Sequence, residues 1–154
     1  MEQQTLHITP IGVLHKDEHG VRVELEPTYA PGLLGLELYS HVHILWWFHR
    51  RDNQEDRSRL QVRPPHRGTP GPMGVFASRS PSRPNPIALS TGRILAVDRE
   101  RGVITLDWSD AEDGTPVLDI KPYSSGLDRV METEEPYWHA DWPHTYEEAR
   151  ARGE

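Results

Sequence analysis

Three groups of residues in this 154-residue chain have types and spacings that could do chemistry. The first is Gly74-Val75-Phe76-Ala77-Ser78-Arg79-Ser80-Pro81-Ser82-Arg83-Pro84-Asn85-Pro86-Ile87-Ala88-Leu89-Ser90. Pro81, Pro84 and Pro86 each lock φ at about −65° and press the preceding residue towards extended backbone. Such a loop loses little entropy on binding. It holds Arg79 and Arg83 as planar forks suited to phosphate, carboxylate or a base edge. The second group is Ser109-Asp110-Ala111-Glu112-Asp113-Gly114-Thr115, three carboxylates ending in a glycine turn. It could face a cation, and by itself it is equally an ordinary acidic turn. The third is His41, His43 and His49 around the apolar run 42–48. A His-x-His pair on a strand can turn two rings to one face, but no cysteine exists and no acidic cluster lies nearby to complete a ligand set. Hydrogen-bonded or solvent-facing histidines are expected there, and no metal. Ser78 and Ser80 lack the Gly-x-Ser-x-Gly elbow of a nucleophilic serine, which makes a serine hydrolase the weakest reading.

The elements that must position these groups are mostly strands. Residues 6–14 have strand composition interrupted by Pro10, which suits an edge or bent strand. Residues 21–26 alternate apolar and charged side chains with period two, the pattern of a half-buried strand. Residues 33–39, rich in leucine, suit a short helix or turn. The run 42–48 is the most apolar in the chain and reads as a strand buried on both faces. Residues 50–73 have no periodicity and form a long loop, which in a compact domain is usually functional. Residues 87–97 and 103–108 make a hairpin across Asp98-Arg99-Glu100-Arg101-Gly102, and 116–123 add one more strand. Residues 147–152 could form a terminal helix. An all-β, single-domain small β-barrel with a few short helices is the expected fold, because closure hides the edges of several short strands. Its domain would span 1–154, with 124–154 an aromatic, acidic tail packed on it.

Composition narrows the partners. Neither an apolar run of about 18 residues nor a basic segment followed by an apolar one at Met1-Glu2-Gln3-Gln4 is present, so a soluble cytoplasmic protein without a membrane is expected. The net charge of −7 hides an uneven distribution: residues 50–93 hold nine arginines against three carboxylates, a balance of +6. Residues 128–154 hold eight carboxylates against three arginines, a balance of −5. Local patches rather than net charge decide where an anion lands, and arginine favours forked contacts to phosphate.

The loop from Gly74, together with Asp113-Gly114-Thr115-Pro116-Val117-Leu118-Asp119-Ile120-Lys121-Pro122-Tyr123, resembles the TsaA-like family, also called YaeB, VirR or TrmO. Tyr39-Ser40-His41 leading to Phe48-His49 and the stretch Val62-Arg63-Pro64-Pro65 match it too. The resemblance implies a β-barrel methyltransferase that uses S-adenosyl-L-methionine and works as a homodimer with the cofactor near the subunit interface. It implies N6-methylation of threonylcarbamoyladenosine in tRNA, at the adenosine 3′ of the anticodon. Carried over by motif, Phe48, His49, Arg79, Leu89, Asp110, Asp113, Gly114 and Thr115 would bind the cofactor. Arg83, Asn85 and Arg63 would meet the acceptor, and the basic segment would receive the tRNA backbone. His49, Tyr39 and Asp113 are candidate proton acceptors by chemistry alone.

The chain departs from the family pattern in places. A tight hairpin after Leu14-His15-Lys16-Asp17 replaces a longer segment that contributes to the cofactor site, Ala88 stands where glycine is common, and an additional C-terminal domain is not expected. A different acceptor, or a non-catalytic S-adenosylmethionine-binding module serving as sensor or RNA-docking protein, are the alternative readings.

Overall fold

Alternation of inward apolar and outward polar residues closes the sheet on itself. The computed structural model describes residues 4–154, so Met1, Glu2 and Gln3 of the terminus read for a targeting signal lie outside the described residues. Its strands are β1 (Gly12–Asp17), β2 (Gly20–Leu25), β3 (His41–Trp47), β4 (Gln61–Val62), β5 (Met73–Gly74), β6 (Ile87–Asp98), β7 (Val103–Leu106) and β8 (Thr115–Pro122). Six of them form a closed antiparallel barrel in the order β1, β2, β7, β6, β3, β8, with β8 returning to β1, while β4 and β5 pair apart. The mainly-β barrel with a few short helices therefore matches the fold expected from the sequence.

The core lies inside the barrel, where Leu14, Val23, Val42, Ile44, Ile104 and Val117 have no exposed surface. Two expectations need correction. The run 42–48 is not buried on both faces: Val42, Ile44 and Trp46 point inward while His41, His43, Leu45 and Trp47 are half-covered outside. A closed barrel has one interior face, and loops and the tail cover the other only in part. The first strand also starts at Gly12 rather than Leu6, since Leu6 and Ile8 are exposed and Pro10 has no N–H for a ladder. Gly12 is required where β1 meets β2, because a Cβ there would fall 2.3 Å from the Glu24 carbonyl oxygen.

The long loop after β3 is partly ordered. It contains α1 (Gln54–Arg57), capped by the Asn53 side chain accepting from the Asp56 N–H at 2.9 Å, and the β4–β5 pair. After β8 come α2 (Ser125–Asp128), a 3-10 turn at Tyr137–His139 and α3 (Tyr146–Arg152). Side-chain contacts fasten the tail to the rest of the chain. Tyr146 Oη donates to the Asp107 carboxylate at 2.7 Å with Arg150 stacked 3.4 Å from the Trp108 ring centre, and Tyr137 Oη donates to the Gly68 carbonyl at 3.1 Å. No helix of the described residues is long and apolar enough to cross a membrane.

Candidate active site at the Phe48 end of the barrel

β3 leaves the barrel through Trp46 and Trp47, and the chain turns sharply at Phe48. The Phe48 N–H donates to the carbonyl of buried Pro86 at 2.8 Å, and its ring sits edge-on to Trp46 with centroids 4.6 Å apart. His49 begins the 3-10 turn His49–Arg51 and is half-buried beside it. Trp46 Nε1 donates to Ser90 Oγ at 2.8 Å, and Ser90 Oγ donates in turn to Asp110 Oδ1. Arg50 Nη1 lies 2.7 Å from Glu112 Oε2. These contacts bring the exit of β3, the inner face of β6 and the acidic turn to one end of the barrel.

The acidic turn divides into two halves. Asp110 is exposed, with one oxygen accepting from Ser90. Asp113 Oδ1 accepts from the Lys16 N–H at 2.9 Å and lies 3.8 Å from His15 Nδ1. Gly114, at φ +79°, donates its N–H to the Leu14 carbonyl at 2.9 Å, so the far half of the turn is fastened to β1. Thr115 has no exposed surface, and its hydroxyl closes the turn by donating to the Glu112 carbonyl at 2.7 Å.

The proline-rich loop is anchored from below. Ser82 Oγ donates to buried Asp56, whose second oxygen accepts from Asn53 Nδ2 at 2.7 Å. The Ser82 hydroxyl, and then the Asn53 amide, hold the Asp56 carboxyl below the usual carboxylate range. Arg83 is half-buried, and its Nη2 donates to the Val75 carbonyl at 2.6 Å and the Ser78 carbonyl at 3.0 Å. It braces the loop from within. Arg79 stays exposed, with Nη1 donating to the Leu89 carbonyl at 3.4 Å, and the Leu89 side chain stands 40% exposed opposite Leu45. Asn85 is exposed, as is Arg63, which shares a cleft with Arg79. Ser78 Oγ donates to the Val75 carbonyl and Ser80 Oγ accepts from the Ser82 N–H, so both hydroxyls serve the loop's own backbone.

Tyr39 stands apart. It lies before β3, whereas His49 lies just after that strand, and a strand of seven residues separates the two by roughly 20 Å. His43 lies between Thr91 Oγ1 at 3.0 Å and Asp128 Oδ1 at 3.3 Å. Among the described residues no three His, Asp or Glu side chains gather as a metal site. The sequence reading missed Ser90, Trp46 and the Asp56–Ser82 anchor. One signal was available for Ser90: with period two it shares the interior face with Ala88 and Gly92, a run of small residues opposite the bulky side chains of β3.

Residues 3–129 match the model of the tRNA-methyltransferase O N-terminal domain. The chain belongs to this family. A "Probable S-adenosyl-L-methionine-binding protein" of Pyrococcus horikoshii is 39% identical over 129 residues, 83% of this chain and 90% of that one. An "S-adenosyl-L-methionine-binding protein" of Archaeoglobus fulgidus is 44% identical over 106 residues, 69% of this chain and 70% of that one. Among solved structures, a crystal structure of TrmO from Pseudomonas aeruginosa superposes with a TM-score of 0.69 at 29% identity. That match covers 90% of this chain but 64% of the TrmO chain, so the chain spans less than two thirds of that family member. Residues 130–154 lie beyond the matched family domain.

Proposed function

We propose that this chain is an S-adenosylmethionine-dependent methyltransferase that N6-methylates threonylcarbamoyladenosine in tRNA beside the anticodon. Family membership and the names of the relatives support the cofactor and the reaction class. The observation that supports the reading for this chain is the contact path from Phe48 through Trp46 and Ser90 to the exposed Asp110 carboxylate, with exposed Arg79 bonded to the carbonyl of Leu89, the residue before Ser90. S-adenosylmethionine carries a sulfonium cation, an α-carboxylate and an adenine, and the donor set fits all three. Asp110 would face the positive part, with Asp113 on the same turn. Arg79 would take the carboxylate, and Phe48 with Leu89 would take the adenine. Gly114 supplies the turn, and buried Thr115 holds its shape.

When bound, the cofactor supplies an electrophilic methyl group. The chain's own task is to hold the acceptor nitrogen in line with that group, where positioning is worth several orders of magnitude. The urea-like acceptor nitrogen must also lose a proton. Of the three candidates, His49 shares the site with Phe48, Asp113 is tied to the Lys16 N–H, and Tyr39 lies at the other end of β3. His49 is therefore our candidate base. Arg83 supports the loop that carries Arg79, while Asn85 and Arg63 remain available to the acceptor. The reading places the protein in the cytoplasm as a homodimer with tRNA as partner.

The test is incubation with methyl-labelled S-adenosylmethionine and bulk tRNA, followed by digestion to nucleosides. Label in a threonylcarbamoyladenosine derivative is the expected result. Cofactor binding without label in any nucleoside would favour the second reading, a non-catalytic binding module, which the wording of the Archaeoglobus relative's name favours. No binding at millimolar cofactor in calorimetry would sink both. Light scattering that finds only monomer at working concentration would remove the homodimer.

A further inference from the structure

The tail beyond the family domain folds back over the loop that carries Arg79, and the two enclose a cleft of about 820 Å³. On the tail side stand Trp138, His139 and Trp142, with His139 stacked on Trp142 at 3.7 Å and 13°. Phe76, 83% exposed, stands on the loop side with Arg63 and Arg79. The strongly acidic tail does not reach these arginines through ion pairs. It is fastened by the Tyr137 hydroxyl on the Gly68 carbonyl at 3.1 Å and by His66 edge-on to Trp142 at 4.5 Å. Glu135, the carboxylate in the cleft wall, lies 2.7 Å from His139 Nδ1. Both arginines are exposed and have no carboxylate within ion-pair distance among the described residues.

Flat aromatic walls combined with unpaired guanidiniums are what an unstacked nucleotide needs, the rings for the base and the cations for its phosphates. The volume lies in the range of pockets that enclose a small organic ligand. Arg79 also donates to the Leu89 carbonyl, so the cleft adjoins the place assigned above to the cofactor.

We propose that the cleft between the tail and the proline-rich loop seats a nucleotide of the acceptor RNA, its base stacked on Trp138, Trp142 or Phe76 and its phosphate met by Arg63, with Arg79 at the cleft's edge left to the cofactor. The proposal rests on the RNA methyltransferase reading. It makes residues 132–142 a part of the acceptor site that this chain supplies from outside the family domain.

The test uses the full chain and two titrations of each variant: single-stranded oligoadenylate, read by fluorescence anisotropy of a labelled oligonucleotide, and S-adenosylmethionine, read by calorimetry. Trp138→Ala and Trp142→Ala are each expected to weaken oligoadenylate binding about ten-fold, the worth of one base stacked on an aromatic ring. Cofactor affinity should stay within about two-fold, and Trp138→Phe should restore RNA binding because it keeps a stacking surface. Should the tail lose its fold in the alanine variants, Phe76→Ala on the opposite wall decides the matter, since its exposed ring packs on no core. RNA affinity unchanged in Phe76→Ala and in the tryptophan variants would overturn the proposal. So would an equal loss of cofactor affinity, which would mean that the cleft holds the cofactor's adenosyl group. Failure of the wild-type chain to bind S-adenosylmethionine would defeat the methyltransferase reading instead, and the oligoadenylate titration would still decide the cleft.

Discussion

At the His41 end of β3, a cleft of about 920 Å³ opens between Tyr39, Tyr123, α2 and the start of α3, larger than the cleft of about 820 Å³ beside Arg79. Several polar groups in and behind its wall are already occupied. His41 Nδ1 lies 2.7 Å from Ser40 Oγ, His43 is held between Thr91 and Asp128, and Tyr146 donates to both oxygens of Asp107 at 2.7 Å. At the Phe48 end the internal bonds of Ser90 and Leu89 aim an exposed carboxylate and an exposed guanidinium outward. The contrast shows why volume is a poor guide to a site. Ring nitrogens and hydroxyls spent within the fold offer a ligand little beyond contact, whereas charges held outward on bonded supports such as Ser90 and the Leu89 carbonyl offer orientation as well.

Asp110→Ala should break this contrast most visibly. Removing a carboxylate that faces a cation should weaken S-adenosylmethionine about ten-fold or more in calorimetry. Tyr39→Phe, at the other end of β3, should leave that affinity within about two-fold. A larger loss from Tyr39 than from Asp110 would place the cofactor in the His41 cleft.

The two loop arginines give the next test. The family resemblance divides them, Arg79 to cofactor and Arg83 to acceptor. The structure has Arg83 holding the carbonyls of Val75 and Ser78, so its loss should disturb the loop on which Arg79 stands. Arg79→Ala is expected to lower cofactor affinity about ten-fold with an unchanged melting temperature, and Arg83→Ala about three-fold with a lower one. If Arg83→Ala leaves both untouched and reduces only turnover, the guanidinium serves the acceptor after all.

These arginines mark how far the sequence could be read. Barrel and hairpin followed from period-two patterns at Val21, Val23 and Leu25 and from the turn ending in Gly102, because one buried face leaves a local signature. Motif likeness grouped Phe48, Arg79 and Asp110, but the path from Phe48 to Asp110 runs through Trp46 and Ser90, residues 44 positions apart, a distance no local pattern spans. The fate of Arg83 was hidden for a related reason. An arginine that donates to carbonyls of its own loop has the same composition and neighbours as one that reaches for phosphate. Residues 6–10 misled because strand composition there is not matched by a neighbour to pair with, whereas Ile11 already bonds to Val117 and Glu26.

The anchor beneath the loop titrates in acid. Asp56 is held below the ordinary carboxylate value of about 3.9, first by Ser82 and then by Asn53. The unfolded chain therefore takes up its proton first as pH falls. The stabilisation is complete above about pH 4 and disappears as pH drops through the lowered native value. Asp17, Asp52 and Asp128 are shifted the same way, so the wild-type melting temperature should hold from neutral pH to about 5 and fall below 4. Asp56→Asn should start about 3 °C lower at neutral pH and show a shallower acid limb. An unchanged acid limb would mean that the loop does not depend on this anchor.

The smallest expected effect comes from the other end of the molecule and touches the tail alone. Burial, together with the hydrogen bond to Asp107, pushes the Tyr146 hydroxyl up to about 12 from its ordinary 10. The folded chain keeps this proton longer than the unfolded chain does, so the contribution to stability is whole below pH 10 and drains away as pH rises towards 12. Tyr146→Phe should remove that alkaline slope and lower stability by about 1 kcal/mol at neutral pH, the worth of one hydrogen bond, while Asp107 keeps the bond it already accepts from the Arg93 N–H. S-adenosylmethionine affinity should not move, because α3 packs at the His41 end. A coupled loss of cofactor binding and alkaline stability in this variant would show that the two ends of the barrel are not independent.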